Sequence, residues 1–158
     1  MRVKVAVLLA IILCSTSADA REQPTESQKV SRELRSICTG LIAWNIDHPP
    51  EGEYLEEGGV PGVDFSLSEH LSSKAARAML VPNYFDKLPE LDPWGRPYQL
   101  LKNVDPKQSW SWAVRSAGPD GKFCSTSYLV PQPDWDRCDD IARVDGVLVC
   151  GPEALEGQ

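Results

Sequence analysis

From Ser27 onward a helical period sets in, with Val30, Leu34, Ile37, Leu41 and Trp44 recurring at steps of four, three, four and three. That spacing lays the five along one face, and Cys38 and Ile42 widen it, while Lys29, Arg32, Glu33 and Arg35 look outward. The helix must stop by His48, because Pro49 and Pro50 cannot continue it. Toward the other end the period changes to two. A short strand is expected over 98–101, and a second where Trp110, Trp112 and Val114 alternate with Ser111, Ala113 and Arg115. A third runs over 146–150, entered through Val144-Asp145-Gly146. Asp105-Pro106-Lys107-Gln108 suits the turn between the first two.

The middle of the chain is less regular. Residues 51–64 are acidic and glycine-rich, as a surface loop would be. A short helix is expected over 66–79, with Leu67, Leu71, Ala75 and Met79 on one side. Two Pro-bounded stretches follow, and in the second, Asp92-Pro93 opens a turn in which Gly95 can take positive φ. Residues 116–140 form a long loop rich in Gly, Pro, Ser and Asp, of the kind that is functional or stapled. One long helix, an irregular middle and three antiparallel strands make an α+β chain. Its helix would cover one face of a small three-stranded sheet, burying both apolar surfaces.

The N-terminus changes the compartment. Arg2 and Lys4 precede an apolar run from Val5 to Cys14, and Ala18-Asp19-Ala20 ends the segment with a small-x-small pattern. These are the three parts of a cleavable signal peptide, expected to be cut after Ala20. A run of about ten apolar residues is too short to cross a bilayer. Residues 1–20 are therefore read as a signal peptide and 21–158 as one domain that does not span a membrane, periplasmic or secreted. With 16 basic against 23 acidic residues, the formal net charge is −7, which repels nucleic acid and anionic lipid. No nucleic-acid partner is expected.

In an oxidising compartment Cys38, Cys124, Cys138 and Cys150 read as two disulfides. The local pair Cys124–Cys138 is favoured, leaving Cys38–Cys150 to tie the two ends together. Zinc is disfavoured, because there is no CxxC pair and His48 and His70 lie far from the cysteines. Catalysis is not expected either. Neither histidine neighbours a nucleophile signature, and no constellation supplies the roles an active site needs. The best candidate chemistry is the loop Ser116-Ala117-Gly118-Pro119-Asp120-Gly121-Lys122 with Asp139-Asp140, which offers the hard oxygens calcium takes. On these residues alone a solvated acidic loop is the better reading, since the spacing is not that of an EF-hand.

A resemblance shifts that balance. Asp92-Pro93-Trp94-Gly95-Arg96-Pro97-Tyr98, then Ser116-Ala117-Gly118-Pro119-Asp120-Gly121, then Asp139-Asp140-Ile141 resemble the globular head of the type II secretion major pseudopilin. The similarity runs over residues 27–150. It implies a long helix over a three-stranded sheet, with calcium (Ca2+) in the loop before the last strand. Carried over by motif, Asp120 and Asp139 would supply carboxylates with Asp140 beside them, and Ala117 and Lys122 would offer backbone carbonyls. The chain departs from the family in lacking the apolar assembly helix, and in a longer loop between Cys124 and Cys138. The expectation is an exported, non-enzymatic accessory or binding component of the envelope, a monomer or small oligomer with an unidentified envelope protein partner. The alternative is a secreted module stabilised by calcium and disulfides, unrelated to secretion machinery.

Overall fold

The computed structural model describes residues 25–49, 62–129 and 139–151; the expected signal peptide and Cys138 lie outside them. Helix α1 (Glu26–Asp47) begins at Thr25, whose side chain accepts the Gln28 N–H at 3.2 Å. The Gln28 side chain accepts the Thr25 N–H in return at 3.0 Å, so two of the free N–H groups of the first turn are satisfied reciprocally. Val30, Leu34, Ile37 and Leu41 are fully buried. At roughly 1.5–3 kcal/mol for each large apolar side chain, that stripe is what holds the helix on the sheet.

A five-stranded antiparallel sheet forms the middle layer, in the order β2 (Ser68–Leu71), β3 (Gln99–Asn103), β4 (Trp112–Ser116), β6 (Ile141–Val144) and β7 (Val147–Cys150). Helix α1 and the shorter α2 (Ser73–Leu80) cover one face, where Leu100, Trp112, Val114 and Ile141 meet them. On the other face lies a two-stranded ribbon, β1 (Gly62–Asp64) paired antiparallel with β5 (Ser127–Leu129). Val63, Phe65 and Tyr128 pack there against Leu101, Ala113, Ala142 and Cys150. Phe65 sits edge-on to Trp110, with ring centroids 5.5 Å apart.

The α+β class is as expected, and the sheet is larger than expected. The three anticipated strands correspond to β3, β4 and β7. Strand β6, which separates β4 from β7, lies between the expected loop and the third expected strand, where no element was anticipated, and it is buried on both faces. The segment expected as a helix over 66–79 divides: Ser68–Leu71 joins the sheet edge, and α2 starts only at Ser73, where Ser72 Oγ accepts the Ala75 N–H at 3.2 Å. A serine at this position satisfies a first-turn donor that Leu67 and Leu71 could not.

Among the described residues no helix is long and apolar enough to cross a membrane.

Candidate functional site

The acidic loop is built on the Asp92 turn. Asp92 is 5% exposed, and its Oδ1 accepts the backbone N–H groups of Trp94 and Arg96 at 3.0 and 2.9 Å. Its Oδ2 accepts the Ser116 hydroxyl at 2.7 Å. Pro93 cannot donate, so one carboxylate gathers the free donors of the turn and reaches the end of β4 as well. Gly95, at φ +81°, lets the turn close, with its N–H on the Asp92 carbonyl at 2.9 Å.

Arg96 leaves that turn and ties down the next. Its guanidinium donates to the carbonyls of Gly118 and Pro119, the latter at 2.9 Å. Ser116 Oγ accepts the Gly118 N–H at 3.2 Å. Gly118 has φ +60°, and a Cβ there would stand 1.9 Å from the Asp139 carbonyl oxygen, so only glycine lets these backbones meet. The three stretches 92–98, 116–121 and 139–141 are thus one bonded and close-packed unit, although 47 positions separate Asp92 from Asp139 in the sequence.

The expected calcium donors are distributed as follows. Ala117, Asp120 and Lys122 share the tight turn: the Ala117 carbonyl accepts the Gly121 N–H at 3.2 Å, and Asp120 Oδ1 accepts the Lys122 N–H at 2.9 Å. Asp120 and Asp139 are exposed. Asp140 is fully buried; its Oδ2 accepts the Cys124 N–H and the Tyr128 hydroxyl, both at 2.8 Å. Its Oδ1 is buried and has no hydrogen-bond partner among the described residues. Among the described residues, no three acidic, histidine or cysteine side chains form a cluster able to hold an ion. The donor that fits a cation is Asp140 Oδ1, since a buried carboxylate oxygen without a partner is costly. Asp140 is thus the buried member of the expected metal set, and Asp120 and Asp139 are its exposed members.

The described cysteines are placed as follows. Cys38 is a free thiol on the helix side of the five-stranded sheet, 3.9 Å from the Arg143 carbonyl oxygen. Cys150 belongs to the apolar cluster on the opposite side, with its sulfur 3.4 Å from the Asp140 carbonyl oxygen. Cys38 and Cys150 thus lie on opposite sides of the sheet, and among the described residues no bridge joins the two. Cys124 is exposed beside the loop, and its expected partner Cys138 lies outside the described residues.

Two further contacts were not legible from pattern. The Tyr98 hydroxyl donates to Glu33 at 2.5 Å, joining the end of the Asp92 turn to α1. Burial, and then the Glu33 carboxylate, push the Tyr98 phenol upward, so it remains a donor across the physiological range. The histidines are apart. His48 stacks on Trp44 at 4.6 Å, with Nδ1 2.9 Å from the Trp44 carbonyl oxygen, and His70 lies exposed on β2.

No protein-family model, curated protein or solved structure matches this chain.

Proposed function

We propose that this chain is an exported, non-enzymatic protein whose folded part is built like a pseudopilin head and serves the envelope as an accessory or binding component. The observation that carries the reading is the meeting of the three motifs behind the resemblance. Asp92 holds Ser116, Arg96 holds the Gly118 and Pro119 carbonyls, and Gly118 rests on Asp139. Turns tied in this way present a loop at low entropic cost, which suits recognition.

The loop is proposed to take calcium weakly. The carboxylates of Asp120, Asp139 and Asp140 are not clustered among the described residues, so the loop would have to close on the ion to bring them together with the carbonyls of Ala117 and Lys122. Bound there, the ion would neutralise the acidic loop and complete the coordination of the buried carboxylate oxygen. So open a site would have an affinity near that of extracellular modules, around 10⁻⁴ to 10⁻³ M.

Fractionation of the native cells, with intact-mass measurement and light scattering, tests the export part of the reading. The protein should be found outside the cytoplasm, beginning at Arg21, as a monomer or small oligomer. Retention in the cytoplasm with residues 1–20 attached, or assembly into filaments, would refute it.

A further inference from the structure

The outer side of α1 carries a second feature, away from the acidic loop. Between the helix and the turn that follows α2 runs a groove of about 400 Å³, lined by Arg32, Arg35, Ser36, Gly40, Tyr84 and Phe85 among others. Its shape depends on Gly40. A Cβ there would lie 2.3 Å from Phe85 Cε2, so the absence of a side chain lets the phenyl ring seat against the helix and form an apolar floor. Glycine inside a helix costs about 1 kcal/mol relative to alanine, and here the return is the seated ring.

The rim is basic in an acidic protein. Of the described arginines, Arg77 pairs with Glu90, Arg96 holds the Gly118 and Pro119 carbonyls, and Arg115 bonds Gln99 and the Ser125 carbonyl. Arg143 bonds the Gly146 carbonyl and Ser31. Neither the Arg32 nor the Arg35 guanidinium has a hydrogen bond or ion pair among the described residues, and these two line the same groove. They stand at i and i+3, where like charges repel, so an anion between them would be favoured. The buried Arg143 guanidinium, bonded to Ser31 on the same helix, adds charge of the same sign near Arg35.

We infer that this groove docks an acidic segment of a partner protein, one that places a large apolar side chain on Phe85 and carboxylates against Arg32 and Arg35. Charge complementarity selects this occupant. A net charge of −7 opposes close approach of a polyanion or an anionic bilayer, whereas a short peptide meets only the local basic rim. Arginine's planar fork suits carboxylates, and the floor suits one side chain. The groove and the acidic loop share no residue, so this inference stands or falls separately from the calcium reading.

The test is an NMR titration of the full mature chain with the blocked peptide Glu-Glu-Phe-Glu-Glu. The amides of the groove, from Arg32 to Gly40 and at Tyr84 and Phe85, should shift and saturate. The doubly substituted Arg32→Gln/Arg35→Gln protein should bind at least about tenfold more weakly while keeping its melting temperature. The peptide Gln-Gln-Phe-Gln-Gln should fail likewise, and acetate alone should not reproduce the saturating shifts. The inference is overturned if the groove amides stay fixed or if the glutamine peptide binds equally well. It is also overturned if the same amides shift with protein concentration alone, which would assign the groove to a second copy, or only with phosphatidylglycerol vesicles, which would assign it to a membrane.

Discussion

Cys38 and Cys124 present two thiols in opposite settings. Burial between α1 and the sheet pushes the Cys38 thiol from 9.0 up to about 12, and Asp145 adds to the rise. At pH 8 it is therefore a thiol, and thiols are poor nucleophiles. Iodoacetamide added to the reduced, folded protein should alkylate Cys124 within minutes and reach Cys38 only after unfolding. Rapid modification of Cys38 in the native state would contradict its placement. Because its folded value is the raised one, the stability that Cys38 contributes is fully present below pH 9.0 and is lost as the pH climbs toward 12. Asp145 shows a different balance. Its carboxylate accepts the Ser111 and Trp112 N–H groups at 2.8 and 2.9 Å, while burial pushes its pKa upward. It also holds φ +45° in the β6–β7 turn, a conformation asparagine tolerates well. Asp145→Asn should change stability by less than about 1 kcal/mol, and Asp145→Ala should cost about 1–3 kcal/mol by stranding two donors. Urea denaturation distinguishes them. None of these partnerships could be read from the sequence, because the groups joined lie dozens of positions apart; the Asp-Gly turn itself could.

The elements were legible to the degree that their burial is one-sided. Helix α1 has a dry face and a wet one, so its period stands out. Strand β4 is buried along its whole length, yet Trp112, with Trp110 just before the strand, still marked it. Strand β6 offers only Ile141-Ala142-Arg143-Val144, buried on both faces with an arginine inside, and no alternation announces it. Strand β2 fails for the opposite reason. Ser68-Glu69-His70-Leu71 is a polar edge whose partner β3 fixes it, and tertiary pairing outweighs its weak intrinsic preference. The turns were better marked, since glycine at positive φ has few substitutes. Gly95 and Gly118 separate the two costs of replacing it. At Gly95 a Cβ meets nothing within 4 Å, so Gly95→Ala should cost only the left-handed strain of about 1–2 kcal/mol. Gly118→Ala adds a collision with the Asp139 backbone and should cost more, at least about 3 kcal/mol. Thermal unfolding of the two variants decides it. Equal losses would mean that the 116–121 turn and residues 139–141 are not in contact.

At the scale of the whole molecule, helices, sheet and ribbon form three layers, and the acidic loop and the basic groove lie on different parts of the surface. The acidic loop was found from its aspartates and glycines, whereas the groove was missed. Arg32 and Arg35 looked like ordinary solvated residues until Phe85 was seen against Gly40. If calcium binds the loop, a tenfold excess over its dissociation constant stabilises the fold by about 1.4 kcal/mol, or roughly 5 °C. Asp120→Ala should abolish that rise, and Asp86→Ala, an exposed acidic change elsewhere, should preserve it. A melting curve indifferent to millimolar calcium and to chelator would show that the Asp92–Arg96 ties hold the loop without an ion. The account rests above all on a partner in the envelope. Its most direct test is quantitative co-purification of the tagged full-length chain from native envelopes, with untagged cells as control. The account predicts a reproducible envelope protein at stoichiometric yield, retained by the exported form beginning at Arg21. Recovery of the chain alone, or only with cytoplasmic proteins, would contradict it.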